Sequence, residues 1–178
     1  MIANDRDILR QLADRWMTLA AQPVMGERRR QWTALKDRRG ERPMVLFETA
    51  TLENYVAPEE LHCADPRLRE VELRMRRLLR HVEEVGDDTV LEPVFTIDWE
   101  KPSADYGLPV AVTGAVDSDG GSQGYRFAHP VRTPADLDQL RPRGWQVDRA
   151  ATLAWHDQLS TLFGDLLPVV IRGTSCDR

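Results

Sequence analysis

The chain has 178 residues, of which 42% are hydrophobic and 30% are charged, as in a soluble globular domain with a core of its own. Its formal net charge of −5 argues against general nucleic-acid binding, and its two cysteines are too few for a disulfide framework. The N-terminus is charged where a signal peptide would be apolar, and no apolar run approaches the ~20 residues of a membrane span. We therefore expect a cytoplasmic protein without membrane or nucleic-acid partners.

Two helices are predicted at the start of the chain. Asn4 or Asp5 can cap the first, in which apolar residues recur at helical spacing, and Pro23 stands where a second helix would begin. We expect residues 1–40 to form a helical extension that precedes an α/β segment over residues 41–178.

A first strand is predicted in the sequence ERPMVLFE. The run from Met44 to Phe47 is continuously apolar, which is typical of a strand buried on both faces of a parallel sheet. Pro43 suits its first position because proline cannot donate to a ladder. The sequence that follows, TATLENYVAPEELHCA, has no period and predicts a long loop.

A long third helix begins at Asp65–Pro66, an N-cap followed by proline at the first helical position. Two acid–arginine pairs at i,i+4 spacing, Glu70–Arg74 and Glu72–Arg76, predict a solvated charged face. Its apolar face is predicted to contain Leu68, Val71, Met75, Leu78, Leu79 and Val82.

The second half of the chain alternates strands and helices. A strand is predicted over Thr89–Ile97, interrupted at Pro93, and a β-hairpin around 108–131. Short helices are predicted after Thr133 and after Asp148. The apolar sequence DLLPVVIRG then predicts another strand buried on both faces.

Strands separated by helices predict a mainly parallel α/β sheet. A parallel strand needs a crossover to its next neighbour, and only five residues follow DLLPVVIRG, so we expect the chain to be the front part of a larger enzyme. Three core strands do not close a barrel, and a small open sheet is the structural alternative.

Function in α/β barrels is concentrated where strands end. That rule selects Glu48 after the first strand, Glu92 and Asp98 in and after the second, and Arg172 after the last. Glu92 is the candidate catalytic residue, as a general acid or base, and the other three are candidate substrate-binding residues. The alternative is that these side chains are loop surface or helix caps. No metal site is predicted, because His62–Cys63 has no second pair at ligand spacing.

Four segments in chain order carry a family resemblance: ERPMVLFE, LHCADPRLREVELRMRRLLRHVEEVGDDTVLEP, TPADLDQLRP and FGDLLPVVIRG. They resemble the N-terminal part of uroporphyrinogen decarboxylase-like proteins of a divergent bacterial branch. The resemblance implies the N-terminal part of a (β/α)8 (TIM) barrel with extra N-terminal helices, from which the hairpin is an excursion.

The family includes tetrapyrrole decarboxylases and cobalamin-dependent methyltransferases that hold a thiolate acceptor on zinc. The decarboxylases carry an arginine-rich segment after the first strand, and here FETATLENY contains no arginine. The resemblance therefore favours methyl transfer or related small-molecule chemistry, and Glu92 is the nearest match to the decarboxylases' strand-end Asp. The His and Cys zinc ligands of the family lie in the later half of the barrel. Corrinoid and zinc are thus implied for a full-length parent, and neither for this chain.

Two functions are predicted. The first is the N-terminal portion of a family enzyme, inactive alone, whose parent takes a small-molecule substrate or a corrinoid protein as partner. The second is a truncated non-catalytic α/β protein that acts through self-association or partner binding at an open sheet edge.

Overall fold

A computed structural model describes residues 4–48, 55–101, 106–116, 122–142 and 146–173. It divides into two units, Met1–Asp98 with Ala150–Arg178, and Trp99–Arg149. The helices are α1 (Asp5–Ala20), α2 (Pro23–Lys36), α3 (Pro66–Glu84) and α4 (Arg149–Phe163). The strands are β1 (Phe95–Ile97), β2 (Val112–Val116), β3 (Ser122–Phe127) and β4 (Val169–Ile171). Short 3-10 helices cover Pro58–Glu60 and Pro134–Gln139.

The predicted caps of the first and third helices are confirmed. The Asn4 side chain accepts a hydrogen bond from the backbone N–H of Asp7, and the Asp65 carboxylate accepts from Arg67 and Leu68. Each bond satisfies a backbone donor that the first helical turn leaves without an intrahelical partner.

The core of the larger unit forms around a parallel pair of short strands. β1 pairs with β4, with Phe95 opposite Val169 and Ile97 opposite Ile171. Phe95 makes edge-to-face contacts with Trp16 of α1 and Phe163 of α4, at centroid distances of 5.9 and 5.7 Å. Helices α1, α3 and α4 thus contribute buried side chains to the same core as the two strands. β1 is shorter than the predicted strand and begins two residues after Pro93, where the missing N–H ends ladder pairing.

The prediction of a buried strand at Met44–Phe47 is wrong. The segment has no regular secondary structure and pairs with no strand that the structure describes, and Val45, Leu46 and Phe47 are 58%, 57% and 54% exposed. Its backbone instead bonds to the turn after α3: Val45 N–H donates to Asp88 and Phe47 N–H donates to Asp87.

The reason lies at the outer edge of β1. The Phe95 N–H donates to the Pro168 carbonyl, and the Ile97 carbonyl accepts from the Arg172 N–H. Because backbone groups alternate along a strand, the carbonyl of Thr96, between them, points away from β4. Arg74 of α3 donates to that carbonyl at 2.6 Å and to the Thr96 hydroxyl at 2.9 Å. A side chain therefore occupies the edge that the predicted first strand would need.

In the smaller unit, β2 and β3 form an antiparallel pair within the range 108–131, where the sequence predicts a hairpin. Its predicted tip lies largely outside the described residues. The segment after Thr133 is a 3-10 helix whose start is capped by Asp136, since that carboxylate accepts from the backbone N–H of Arg132 and Thr133.

The fold class is mixed α/β, as predicted, with two small two-stranded sheets in the described part of the chain. These two sheets do not close into a barrel. Among the described helices, none is long and apolar enough to cross a bilayer.

Candidate functional site

The carboxyl edge of the β1–β4 pair brings two of the predicted site residues together. Ile97 and Ile171 are paired, and the backbone N–H of Arg172 donates to the carbonyl of Ile97 at 2.9 Å. Asp98 and Arg172 are the next residues on the two strands, and both are exposed. An acid and a guanidinium thus leave adjacent parallel strands at the same edge, the position where open α/β sheets bind ligands.

Arg74 and Thr96 extend this edge, and the sequence analysis missed them as site residues. The Arg74 guanidinium lies 4.7 Å from the centre of the Phe95 ring, a cation–π contact, and its charge interacts with Asp98. Its spacing predicts that Arg74 is one half of a solvated pair with Glu70. No signal in the helical spacing distinguishes an arginine that reaches a strand edge from one that faces solvent.

The arrangement can bind and orient a polar ligand. Two guanidinium groups can donate to a carboxylate or phosphate, and a carboxylate can accept from a hydroxyl, amine or amide of the same molecule. Asp98 is also the group at this edge that could take up a proton.

Glu92 lies away from this edge. It precedes β1 by three residues, at the amino end of the strand, where its carboxylate forms an ion pair with Arg29 of α2 at 3.2 Å. The Glu92 backbone carbonyl accepts a hydrogen bond from the Trp16 indole at 2.7 Å. Its catalytic role stays a prediction. Glu48 is exposed and directly follows Phe47, and its substrate-binding role also stays a prediction.

Glu72 is a buried acid that the sequence analysis assigned to the solvated face, an assignment that is wrong. Its side chain is 0% exposed and accepts hydrogen bonds from the backbone N–H of His62 and Cys63 and from Nε of Arg76, at 2.9, 2.8 and 2.8 Å. Burial alone would raise the pKa of Glu72, but these three donors together lower it. The signal that could have found it is its spacing: Glu72 lies four residues after Leu68 and three before Met75, which places it on the buried face of α3.

The neighbouring Cys63 is not an activated thiol. Burial first, and then the negative charge of Glu72, raise the pKa of Cys63 to about 12. It is therefore protonated at neutral pH, whereas nucleophilic cysteines need the thiolate.

A second buried polar cluster joins α3 to the turn that follows it. Nε2 of His81 lies 2.9 Å from the Asp87 carboxylate and 3.0 Å from the Thr89 hydroxyl. Burial opposes the charge on Asp87, but backbone N–H groups of Phe47 and Thr89 outweigh it and lower the pKa of Asp87. Through the Phe47 N–H bond to Asp87, the cluster also anchors the segment at Val45 to Phe47. Among the described residues, no group of three or more His, Cys, Asp or Glu side chains could hold a metal ion.

Comparisons with known proteins identify no relative: no family model, no curated protein and no solved structure matches the chain. The resemblance to uroporphyrinogen decarboxylase-like proteins therefore stays a prediction.

Proposed function

We propose that the chain is the N-terminal part of a uroporphyrinogen decarboxylase-like α/β-barrel enzyme that acts on a small molecule, with methyl transfer as the preferred chemistry. The observation that carries the proposal is the parallel β1–β4 pair, because it brings Asp98 and Arg172 to one carboxyl edge. Parallel strands joined through a helix are the building unit of such barrels.

In this proposal Arg172 and Arg74 bind an anionic group of the substrate, and Asp98 orients a hydrogen-bond donor of the same molecule. Glu92 is paired with Arg29 at the other end of β1, so its predicted catalytic role is not part of this binding mode. Closure of a barrel would also require the first strand to displace Arg74 from the edge of β1.

The described residues do not fit a zinc site. Cys63 is buried as a thiol beside Glu72, and His81 is bonded to Asp87 and Thr89. We therefore assign no step through zinc to this chain, and any zinc and corrinoid belong to the proposed full-length parent.

Two experiments test the proposal. The coding DNA beyond codon 178, read in all three frames, is expected to continue as α/β sequence with His and Cys ligands. Unrelated sequence in every frame would contradict the barrel proposal.

The second experiment titrates the ¹⁵N-labelled protein with hydroxocobalamin and, separately, with coproporphyrin as a tetrapyrrole carboxylate. Saturable shifts are expected at residues 96–98 and 171–173, and Asp98→Asn and Arg172→Gln should remove them. Arg126→Gln, a charge change on the hairpin, is the matched control. Shifts elsewhere, or shifts that survive both substitutions, would reject this edge as the binding site.

A second candidate function is self-association or partner binding without catalysis. The observation that favours it is the run of three consecutive exposed apolar side chains, Val45 to Phe47. A contiguous exposed apolar surface is a candidate site for contact with another chain. A molar mass that rises with protein concentration in size-exclusion chromatography with light scattering would support it.

A further inference from the structure

A cleft opens between α1 and α3, away from the β1–β4 edge. At one end Asp5 accepts from the backbone N–H groups of Ala64 and Asp65 at 2.8 and 3.0 Å. At the other end Arg15 makes a bidentate ion pair with Glu83. Its Nε donates to Oε1 at 2.8 Å and its Nη2 donates to Oε2 at 2.6 Å. Between these contacts lies a cavity of about 760 Å³. That volume is within the range of small-molecule pockets.

The cleft has an apolar floor and a positively charged wall. Ile8 and Leu12 of α1 lie against it, and three arginines line it: Arg15, Arg69 and Arg76. None of the lining residues in the described part of the chain is an acid. A ligand with an anionic group and an apolar body would match both surfaces.

The three guanidinium charges are not equivalent. Arg15 is paired with Glu83, and Arg76 with the buried Glu72. Arg69 donates through Nε to the backbone carbonyl of Cys63 at 2.9 Å, a neutral acceptor. One positive charge in the cleft is therefore left without a carboxylate partner among the described residues.

Arg69 is also held in position. Its Nε bond fixes the plane of the guanidinium, and its two terminal nitrogens have no hydrogen-bond partner within the described ranges. A fixed planar guanidinium with free terminal N–H groups is suited to bidentate binding of a phosphate oxygen pair. The Nε bond thus offsets part of the entropy cost of ordering this exposed side chain when a ligand binds.

We propose that the cleft between α1 and α3 binds a small organic phosphate, with Arg69 as the principal anchor of the phosphate group and Ile8 and Leu12 in contact with the organic part. Arg15 and Arg76 keep their ion pairs with Glu83 and Glu72, so the uncompensated positive charge of the site is that of Arg69. The site is formed by other side chains than the β1–β4 edge, so it stands independently of the proposed enzyme activity.

The test measures binding of phenyl phosphate, inorganic phosphate and phenylacetate to the chain by ¹⁵N chemical shifts and calorimetry in low-salt buffer. Phenyl phosphate is expected to bind most tightly, with saturable shifts in α1 and α3. Arg69→Gln should weaken it about tenfold or more, as for the loss of a charge-assisted hydrogen bond. Arg30→Gln, which removes a charge from the exposed face of α2, should change it less than about twofold.

Two further variants make the result independent of folding defects. Arg69→Lys keeps the charge but not the planar fork, and it should bind with intermediate affinity. Arg15→Gln should weaken binding less than Arg69→Gln, and melting curves by circular dichroism should show each variant folded. Absence of saturable binding overturns the proposal. The proposal is also overturned if phenylacetate binds as tightly as phenyl phosphate, or if Arg30→Gln weakens binding as much as Arg69→Gln. Either result would indicate a diffuse charge effect.

Discussion

A single buried carboxylate organises the entry to α3. Glu72 is fully buried, yet it accepts three hydrogen bonds, two of them from consecutive backbone N–H groups at His62 and Cys63. A buried charge is tolerated when it is paired and hydrogen-bonded, and Arg76 supplies the pairing. The side chain thus fixes the path of the chain just before the helix begins.

We expect Glu72→Gln to lower the free energy of unfolding by about 1–3 kcal/mol, because an amide cannot satisfy three donors at once. The folded-state pKa of Glu72 lies below its ordinary value of about 4.3. A lowered pKa adds stability above the unfolded-state value, and that stability is lost as pH falls through the folded-state value. The difference in the free energy of unfolding between wild type and Glu72→Gln should therefore be largest near pH 7 and shrink below pH ~4.

The free energy of unfolding is measured by urea titration at pH 7 and again below pH ~4. Glu70→Gln is the matched control, since Glu70 is exposed two residues away on the same helix, and it should change stability by less than about 0.5 kcal/mol. An equal cost for the two variants, or a gap that does not depend on pH, would contradict the role given to Glu72.

At the scale of elements, the cap of α3 gives a second prediction. Asp65 accepts from the backbone N–H of Arg67 and Leu68 at 2.8 and 3.0 Å. Asp65→Ala should cost about 1 kcal/mol, and Asp65→Asn much less because asparagine is an equally good cap. The two midpoints in urea unfolding separate a capping role from a general charge effect, which would affect both variants alike.

Helices could be predicted from this sequence because their signals are local. The caps at Asn4 and Asp65 and the apolar spacing of α1, α3 and α4 are read from neighbouring residues. The strand at Met44–Phe47 could not be judged in this way, because a short apolar run does not say what lies beside it. Its partner edge on β1 is occupied by Arg74, whose spacing on α3 is that of any solvated arginine.

In the candidate site, too, local features could be predicted and long-range contacts could not. The position of Asp98 and Arg172 at one edge can be predicted, because the end of a strand is visible in sequence and parallel strands end at the same edge. Their substrate-binding role stays a prediction. Glu92 falls within the predicted strand Thr89–Ile97, whereas the observed strand begins at Phe95, so Glu92 precedes it. The ion pair of Glu92 with Arg29 joins residues 63 positions apart, and nothing local predicts it.

Arg74 gives a third prediction at this scale. Arg74→Ala would leave the Thr96 carbonyl without its donor and remove the cation–π contact with Phe95. We expect a loss of about 1–2 kcal/mol in the free energy of unfolding. Arg30→Ala, which removes an exposed arginine from a surface ion pair, should cost less than about 1 kcal/mol. Chemical unfolding of both variants is the measurement, and equal costs would show that Arg74 does not stabilise the edge of β1.

At the scale of the whole molecule, the exposed apolar segment Val45 to Phe47 is a candidate contact surface. Val45, Leu46 and Phe47 are each more than half exposed, while backbone N–H groups of Val45 and Phe47 donate to Asp88 and Asp87. Single exposed apolar residues are ordinary, but a contiguous exposed apolar patch is a candidate surface for association. The barrel proposal and the partner-binding proposal both require this surface to be covered.

We therefore expect the chain to self-associate through residues 45–47, and Leu46→Ser to weaken that association by at least about tenfold, because each copy loses the burial of an apolar side chain. Leu153→Ser is the matched control: Leu153 is 50% exposed on α4 and Leu46 is 57% exposed, so the two substitutions remove similar apolar surface. Sedimentation equilibrium over a range of concentrations gives the dissociation constants. A wild-type chain that stays monomeric at millimolar concentration, or a control that weakens association equally, would remove the segment as an interface.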